Sequence, residues 1–208
     1  MQNGNLFDVE VKEYEEWFRI NDQLLNSELD AIRPLLPASG KGIEIGVGTG
    51  IFASQLGIGF GVEPSEKMAA KAIKKGIQIM IGTAEELPVE DESYQFALMV
   101  TVDCFLHDVV KAFSEVNRIL VNQGIFIIAF LNRATPLGEL YHKNKHMNDS
   151  YKNANFHTDQ EISQWLENTG FEILERKQTI YSLENTPQQV NDGFGEGVFA
   201  VIKAKKLC

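Results

Sequence analysis

The spacing of apolar positions changes along this chain. In residues 8–36, Leu25, Leu29, Ile32 and Leu36 recur at helical intervals, and Pro37 closes the segment. Short apolar runs then take over: 42–46, 58–62, 77–81, 94–100 and 124–130, each the length of a buried strand. Between them lie segments with helical patterning. IFASQLG follows the first run, and SEKMAAKAIKK follows the second, with Ser65 able to cap it and Gly76 to end it. Asp108 can cap a further helix whose Val109, Phe113, Val116 and Leu120 form one stripe. Thr158 and Glu161 have the spacing of a capping box, opening a helix that stops at Gly170. The chain closes with FEILERKQTI and GVFAVIKAKK, two strand-like runs joined by a polar, Gly-containing loop.

Strands alternating with helices, and apolar on both faces, predict an α/β fold with a mostly parallel sheet covered on each side. The last two strands have no helix between them, which predicts an antiparallel pair. The 208 residues suit a single domain of ordinary core content, with 44% hydrophobic residues. Residues 1–38 would form an N-terminal helical cap. The segment 132–156 is long for a connection and would hold its own helix, as an insertion or lid.

Charge and cysteine content narrow the function. A net charge of −10 argues against binding a nucleic-acid backbone. Two cysteines, Cys104 and Cys208, provide neither a disulfide framework nor metal-ligand spacing, so no metal is expected. No apolar run approaches the ~20 residues of a membrane span, and no secretory leader is evident, so a cytoplasmic protein without membrane attachment is expected.

The candidate chemistry is concentrated at strand ends. GIEIGVGTG places Gly46, Gly48 and Gly50 directly after the first strand. Such a turn lets the backbone approach a ligand at the carboxyl edge of the sheet. The register is G-x-G-x-G, not the G-x-G-x-x-G of dinucleotide folds, and Glu44 suits a cationic group better than two phosphates. Glu63 ends the second strand near the offset at which an acid binds ribose hydroxyls. After the third strand, GTAEELP offers Ala84 and Glu85 to an adenine ring.

Together EIGVGTG, GVEPSEKM, IGTAEELPVEDESYQFALMV, NRIL with GIFIIAF, and FHTDQEISQWLENTGFEI resemble the class I S-adenosylmethionine-dependent methyltransferases of the small-molecule, type 11-like kind. The resemblance covers nearly the whole chain. It implies a doubly wound, Rossmann-like sheet of seven strands with the last one antiparallel, and S-adenosyl-L-methionine as cofactor. Glu44, Gly46 and Gly48 would then line the methionine end, with Tyr14 reaching over from the N-terminal segment. Glu63 would bind ribose, Ala84 and Glu85 would meet adenine, and Val100 and Thr101 would pass beneath the methyl group. The usual Leu-Lys-Pro-Gly-Gly turn is replaced by Leu120-Val121-Asn122-Gln123-Gly124. TVDCFLHD stands where amino-methylating enzymes carry Asn-Pro-Pro-Tyr, which argues against DNA bases or protein amides as acceptors.

The expected acceptor is a small molecule, and the oligomeric state is not indicated. Candidate bases are His107, Tyr141, His142 and His146. Arg133, Lys143, Lys145 and Lys152 exceed Glu139 and Asp149 in the 132–156 segment, which hints at a polar or anionic acceptor as readily as at a solvated insertion. Two rival functions share these motifs: a cofactor-binding module without turnover, and an NAD-dependent oxidoreductase.

Overall fold

The structure is a computed structural model and describes residues 11–147 and 151–207. In chain order the strands are β1 (Gly42–Ile45), β2 (Phe60–Glu63), β3 (Gln78–Ile81), β4 (Tyr94–Val100), β5 (Leu120–Leu131), β6 (Phe171–Thr179), β7 (Asn191–Asp192) and β8 (Phe199–Lys206). The helices are α1 (Val11–Ile20), α2 (Asp22–Ile32), α3 (Ile51–Leu56), α4 (Glu66–Lys74), α5 (Val109–Ile119), α6 (Pro136–Asn144) and α7 (Asp159–Asn168). The strands form one sheet in the order β3-β2-β1-β4-β5-β8-β6-β7. β1 to β5 run parallel, and β8 inserts antiparallel between β5 and β6.

Alternate residues of β4 face opposite sides, as the pleat requires. Phe96, Leu98 and Val100 pack with Leu24, Leu29 and Ile32 of α2 and with Phe52 of α3. Tyr94, Ala97 and Met99 pack instead with Phe113 and Val116 of α5 and with Ile162 and Leu166 of α7. Both faces are therefore dry, and the carboxyl ends of β1, β2 and β4 open on one edge.

The caps expected from sequence form. Ser65 accepts from the Met68 N–H, Asp108 from the Lys111 N–H at 2.9 Å, and Thr158 with Glu161 makes both halves of a capping box. Other expectations need correction. The sheet has eight strands, not seven, because the two residues of β7 in the final loop pair with β6. The N-terminal segment is two helices broken at Asn21, whose backbone leaves the helical region at φ −105°, ψ 45°. A 3-10 turn, Arg33–Leu35, follows, and Leu36 is extended, the conformation that a following proline favours. β5 begins at Leu120, earlier than its apolar run, so Leu120 leaves the α5 stripe and pairs with Tyr94. Gln123 absorbs the irregularity with a left-handed φ of 63°.

Candidate functional site

The glycine turn leaves β1 with three consecutive alternate residues in the left-handed region: Gly46 (φ 68°), Gly48 (φ 56°) and Gly50 (φ 77°). Gly46 and Gly50 are also sterically fixed. A Cβ on Gly46 would lie 2.4 Å from Val102, and one on Gly50 would lie 2.5 Å from Ile77. Gly48 differs, since a Cβ there would meet only the Tyr14 hydroxyl, at 3.9 Å. The middle of the turn is thus open on the side that Tyr14 covers.

Tyr14 is held there by its neighbour. Glu15 of α1 pairs with Lys71 at 2.8 Å and Lys75 at 3.1 Å, and Lys75 also donates to the Thr49 carbonyl at 2.8 Å. These contacts strap α1 across the turn to the end of α4. Phe18 packs edge-on to both Tyr14 and Phe52, which fixes the helix's roll.

Two carboxylates lie beneath. Glu63 accepts from the Gly48 N–H at 2.8 Å and the Ser65 N–H at 2.9 Å. Each oxygen keeps a lone pair for a further donor. Burial raises its pKa and the two N–H groups draw it back. Glu44 is 2% exposed, and its Oε2 has no hydrogen-bond partner. Burial holds its carboxyl well above the usual range, the Ala53 N–H works against this, and Glu63 adds to it. Burial also raises the Tyr14 hydroxyl, helped by Glu44, Glu28 and Glu63. A buried acceptor left unsatisfied costs free energy that a cationic donor would relieve.

The other strand ends complete the edge. Ala84 is buried in the turn after β3. Glu85 beside it accepts from the His107 backbone N–H at 2.9 Å, which ties that turn to the β4–α5 loop. Val100 is buried, and Thr101 sits at φ 52°, a strained conformation for a β-branched residue. Cys104 donates to the Thr101 carbonyl at 3.5 Å, and burial keeps its thiol protonated, so it is not a nucleophile.

The candidate bases separate. His107 is exposed on a shallow groove shared with Arg133, Glu161 and Trp165, and His146 is exposed in a 3-10 turn. His142 is half-buried with Nδ1 unpartnered. Tyr141 of α6 faces inward, packing on Tyr151 (6.0 Å) and Phe156 (6.2 Å). The cationic excess of 132–156 is largely spoken for: Arg133 pairs with Glu161, Lys143 with Glu139, and Lys145 donates to the Ala154 carbonyl. That weakens the hint of an anionic acceptor.

Two features were not among the residues singled out by sequence. His157 Nδ1 lies 3.0 Å from Asp103 Oδ2, both buried, and pins the end of the 132–156 segment to the end of β4. Glu28 is 8% exposed on the inner face of α2. A signal for Glu28 existed, since it stands three or four residues from Leu24, Leu25, Ala31 and Ile32 and so falls within their apolar stripe. His157 precedes a cap and carries no periodic mark.

Comparison with known proteins gives four relevant findings. Residues 43–128 match the Methyltransferase domain family. An uncharacterized protein of Methanocaldococcus jannaschii is 38% identical over 205 residues, spanning 98% of this chain and 100% of that one. A Thermotoga maritima crystal structure, described as a SAM-dependent methyltransferase and possible histamine N-methyltransferase, superimposes with a TM-score of 0.93 at 44% identity, covering 97% of this chain and 98% of that one. A more distant Mesorhizobium loti S-adenosylmethionine-dependent methyltransferase shares the fold, with a TM-score of 0.68 at 19% identity over 86% of this chain and 98% of that one.

Proposed function

This chain belongs to the S-adenosylmethionine-dependent methyltransferases, and on that premise we propose that it transfers the methyl group to a small-molecule acceptor. The observation that carries the residue assignment is the unpartnered Oε2 of buried Glu44 beside the open turn at Gly48. Glu44 accepts from the ammonium of the methionine moiety, while Gly46 and Gly48 let the backbone come close. Tyr14, strapped over the turn by Glu15, donates to the carboxylate of that moiety. The spare lone pairs of Glu63 receive the two ribose hydroxyls, and a single positively charged ligand eases its burial beside Glu44. Ala84 and Glu85 border the adenine, and Val100 with strained Thr101 forms the floor beneath the reacting carbon.

Bound there, the cofactor supplies a methyl group on a sulfonium, already a good leaving group. What remains for the chain is alignment and exclusion of water, which can account for much of the barrier reduction. The acceptor side is walled by α1, α2 and the 132–156 segment, all part of the same domain. Enclosure by such short segments supports a small acceptor. The name of the Thermotoga protein points to an amine acceptor for that protein.

Calorimetry with S-adenosylmethionine, S-adenosylhomocysteine and NAD tests the reading. Both sulfur compounds should bind, and NAD binding alone would overturn it. Glu63→Ala should weaken S-adenosylhomocysteine by about 1.5–3 kcal/mol, the value of a hydrogen bond to a charged group. Unchanged affinity would move the ribose site elsewhere. Methyl transfer to any acceptor separates an enzyme from a binding module.

A further inference from the structure

Glu28 is unusual among the buried side chains. It lies on α2 between buried leucines, yet no described residue gives its carboxylate a hydrogen bond or an ion pair. Phe105, Tyr141 and Tyr151 pack against the core cluster that holds Leu24, Leu25 and Leu29 of the same helix. The carboxylate acts electrostatically on the hydroxyls of Tyr14, Tyr141 and Tyr151, which come from α1, α6 and the end of the 132–156 segment. None of these three hydroxyls donates or accepts within the described residues. Tyr151 also stacks on Phe105 at 6.2 Å with an interplanar angle of 8°, and packs on Phe156 at 5.4 Å.

This group adjoins the cofactor side, because the Tyr14 hydroxyl, on which Glu44, Glu28 and Glu63 all act, is also the atom that a Cβ on Gly48 would meet. Phe105 follows the end of β4, where the methyl group is assigned. Glu28, buried on α2, thus belongs to the helix that walls the acceptor side.

An isolated carboxylate is not kept in an apolar stripe for stability, since desolvation penalises it. A cation beside the carboxylate resolves the conflict. Anionic acceptors are opposed by Glu28, Glu44 and Glu63 together. Lys145, which acts on nearby Cys104, has its ammonium bonded to the Ala154 carbonyl.

We infer that Glu28, framed by Tyr14, Tyr141 and Tyr151, is the acceptor subsite and takes a small primary or secondary amine. This rests on the methyltransferase reading above. The amine arrives as an ammonium, whose charge favours the carboxylate of Glu28 over the protonated form that burial favours in its absence. Glu28 takes one N–H proton, leaving the nitrogen lone pair free. That pair forms the new N–C bond as the C–S bond breaks and its electrons return to sulfur. The product is a methylated ammonium and a neutral thioether, so charge and atoms balance. Burial brings the Glu28 carboxyl up to about 8, close to the range of the amines it would serve, which suits a general base.

The test uses labelled S-adenosylmethionine with phenethylamine, 2-phenylethanol and 3-phenylpropionate as probes, on the full chain. Label should pass to the amine and to neither of the others. Glu28→Gln, nearly isosteric, should lower amine methylation by about 100-fold. Its affinity for S-adenosylhomocysteine should stay within about twofold, which also reports a folded protein. Tyr141→Phe should raise the KM for the amine with S-adenosylhomocysteine binding again unchanged. Methylation of the alcohol or the acid, Glu28→Gln as active as the parent, or an amine neither methylated nor bound would each overturn the assignment. Failure of both sulfur compounds to bind would instead strike the methyltransferase reading itself.

Discussion

The two sides of the catalytic edge are built in different ways. The proposed cofactor side comes from four successive strand ends, β1 to β4, with glycines whose φ values and contacts leave little freedom. The acceptor side is assembled from α1, α2, α6 and the loop before α7, separated by more than half the chain. Backbone geometry dominates the first, and buried side-chain chemistry the second. One holds a common ligand in a common way. The other can change its acceptor by changing a few side chains on helices that otherwise only cover the sheet.

The largest effect that would break this contrast concerns pH. The Glu28 carboxyl rises from 4.5 to about 8, and those of Glu44 and Glu63 are raised as well, all mainly by burial. Between these pH values the folded chain binds more protons than the unfolded one. Their contribution to stability is thus fully present below about 4.5 and is lost as pH rises through about 8. Urea unfolding should show stability falling across that window by on the order of a few kcal/mol. Glu28→Gln should flatten the fall and raise stability at the alkaline end. An identical slope in both proteins would remove Glu28 from the buried set.

A smaller effect separates two glycines on the cofactor side. Gly46→Ala must accept both a left-handed backbone and contact with Val102, a combined loss of about 2–4 kcal/mol in unfolding measurements. Gly48→Ala meets no such contact and should cost only about 1–2 kcal/mol. The methyl would still crowd the space under Tyr14, so S-adenosylhomocysteine binding should suffer more than stability does. Equal stability losses would mean that the open side of the turn is not open.

The smallest effect falls on the seam between the two sides. Asp103→Ala leaves the His157 ring without its partner and should cost about 1–3 kcal/mol. Because the pair fixes the 132–156 segment to the end of β4, the KM for acceptor should rise while cofactor affinity holds. A change in cofactor affinity alone would place the pair on the other side.

Most of the residues assigned to the proposed cofactor side could be read from the sequence. The glycine register, Glu44, Glu63 and the GTAEELP turn are short motifs at fixed offsets from apolar runs. Their backbone requirements are local. Tyr14 could be guessed as a covering aromatic, but its location over Gly48 depends on Glu15 reaching Lys71 and Lys75, 56 and 60 residues away. The basic character of 132–156 misled because an unpaired cation and one engaged with Glu161 or a carbonyl look alike in a string of letters. His157 and Asp103 could not be joined without the fold.

The sequence by itself determined the alternation of strands and helices, the caps and the ligand turn, because periodicity, capping and left-handed glycines are properties of neighbouring residues. Tertiary structure alone decided that β8 inserts between β5 and β6 and that Asp103 meets His157. It also decided that the buried Glu28 acts electrostatically on three tyrosine hydroxyls. Those outcomes depend on which distant surfaces must be buried together, and no local pattern encodes the partner.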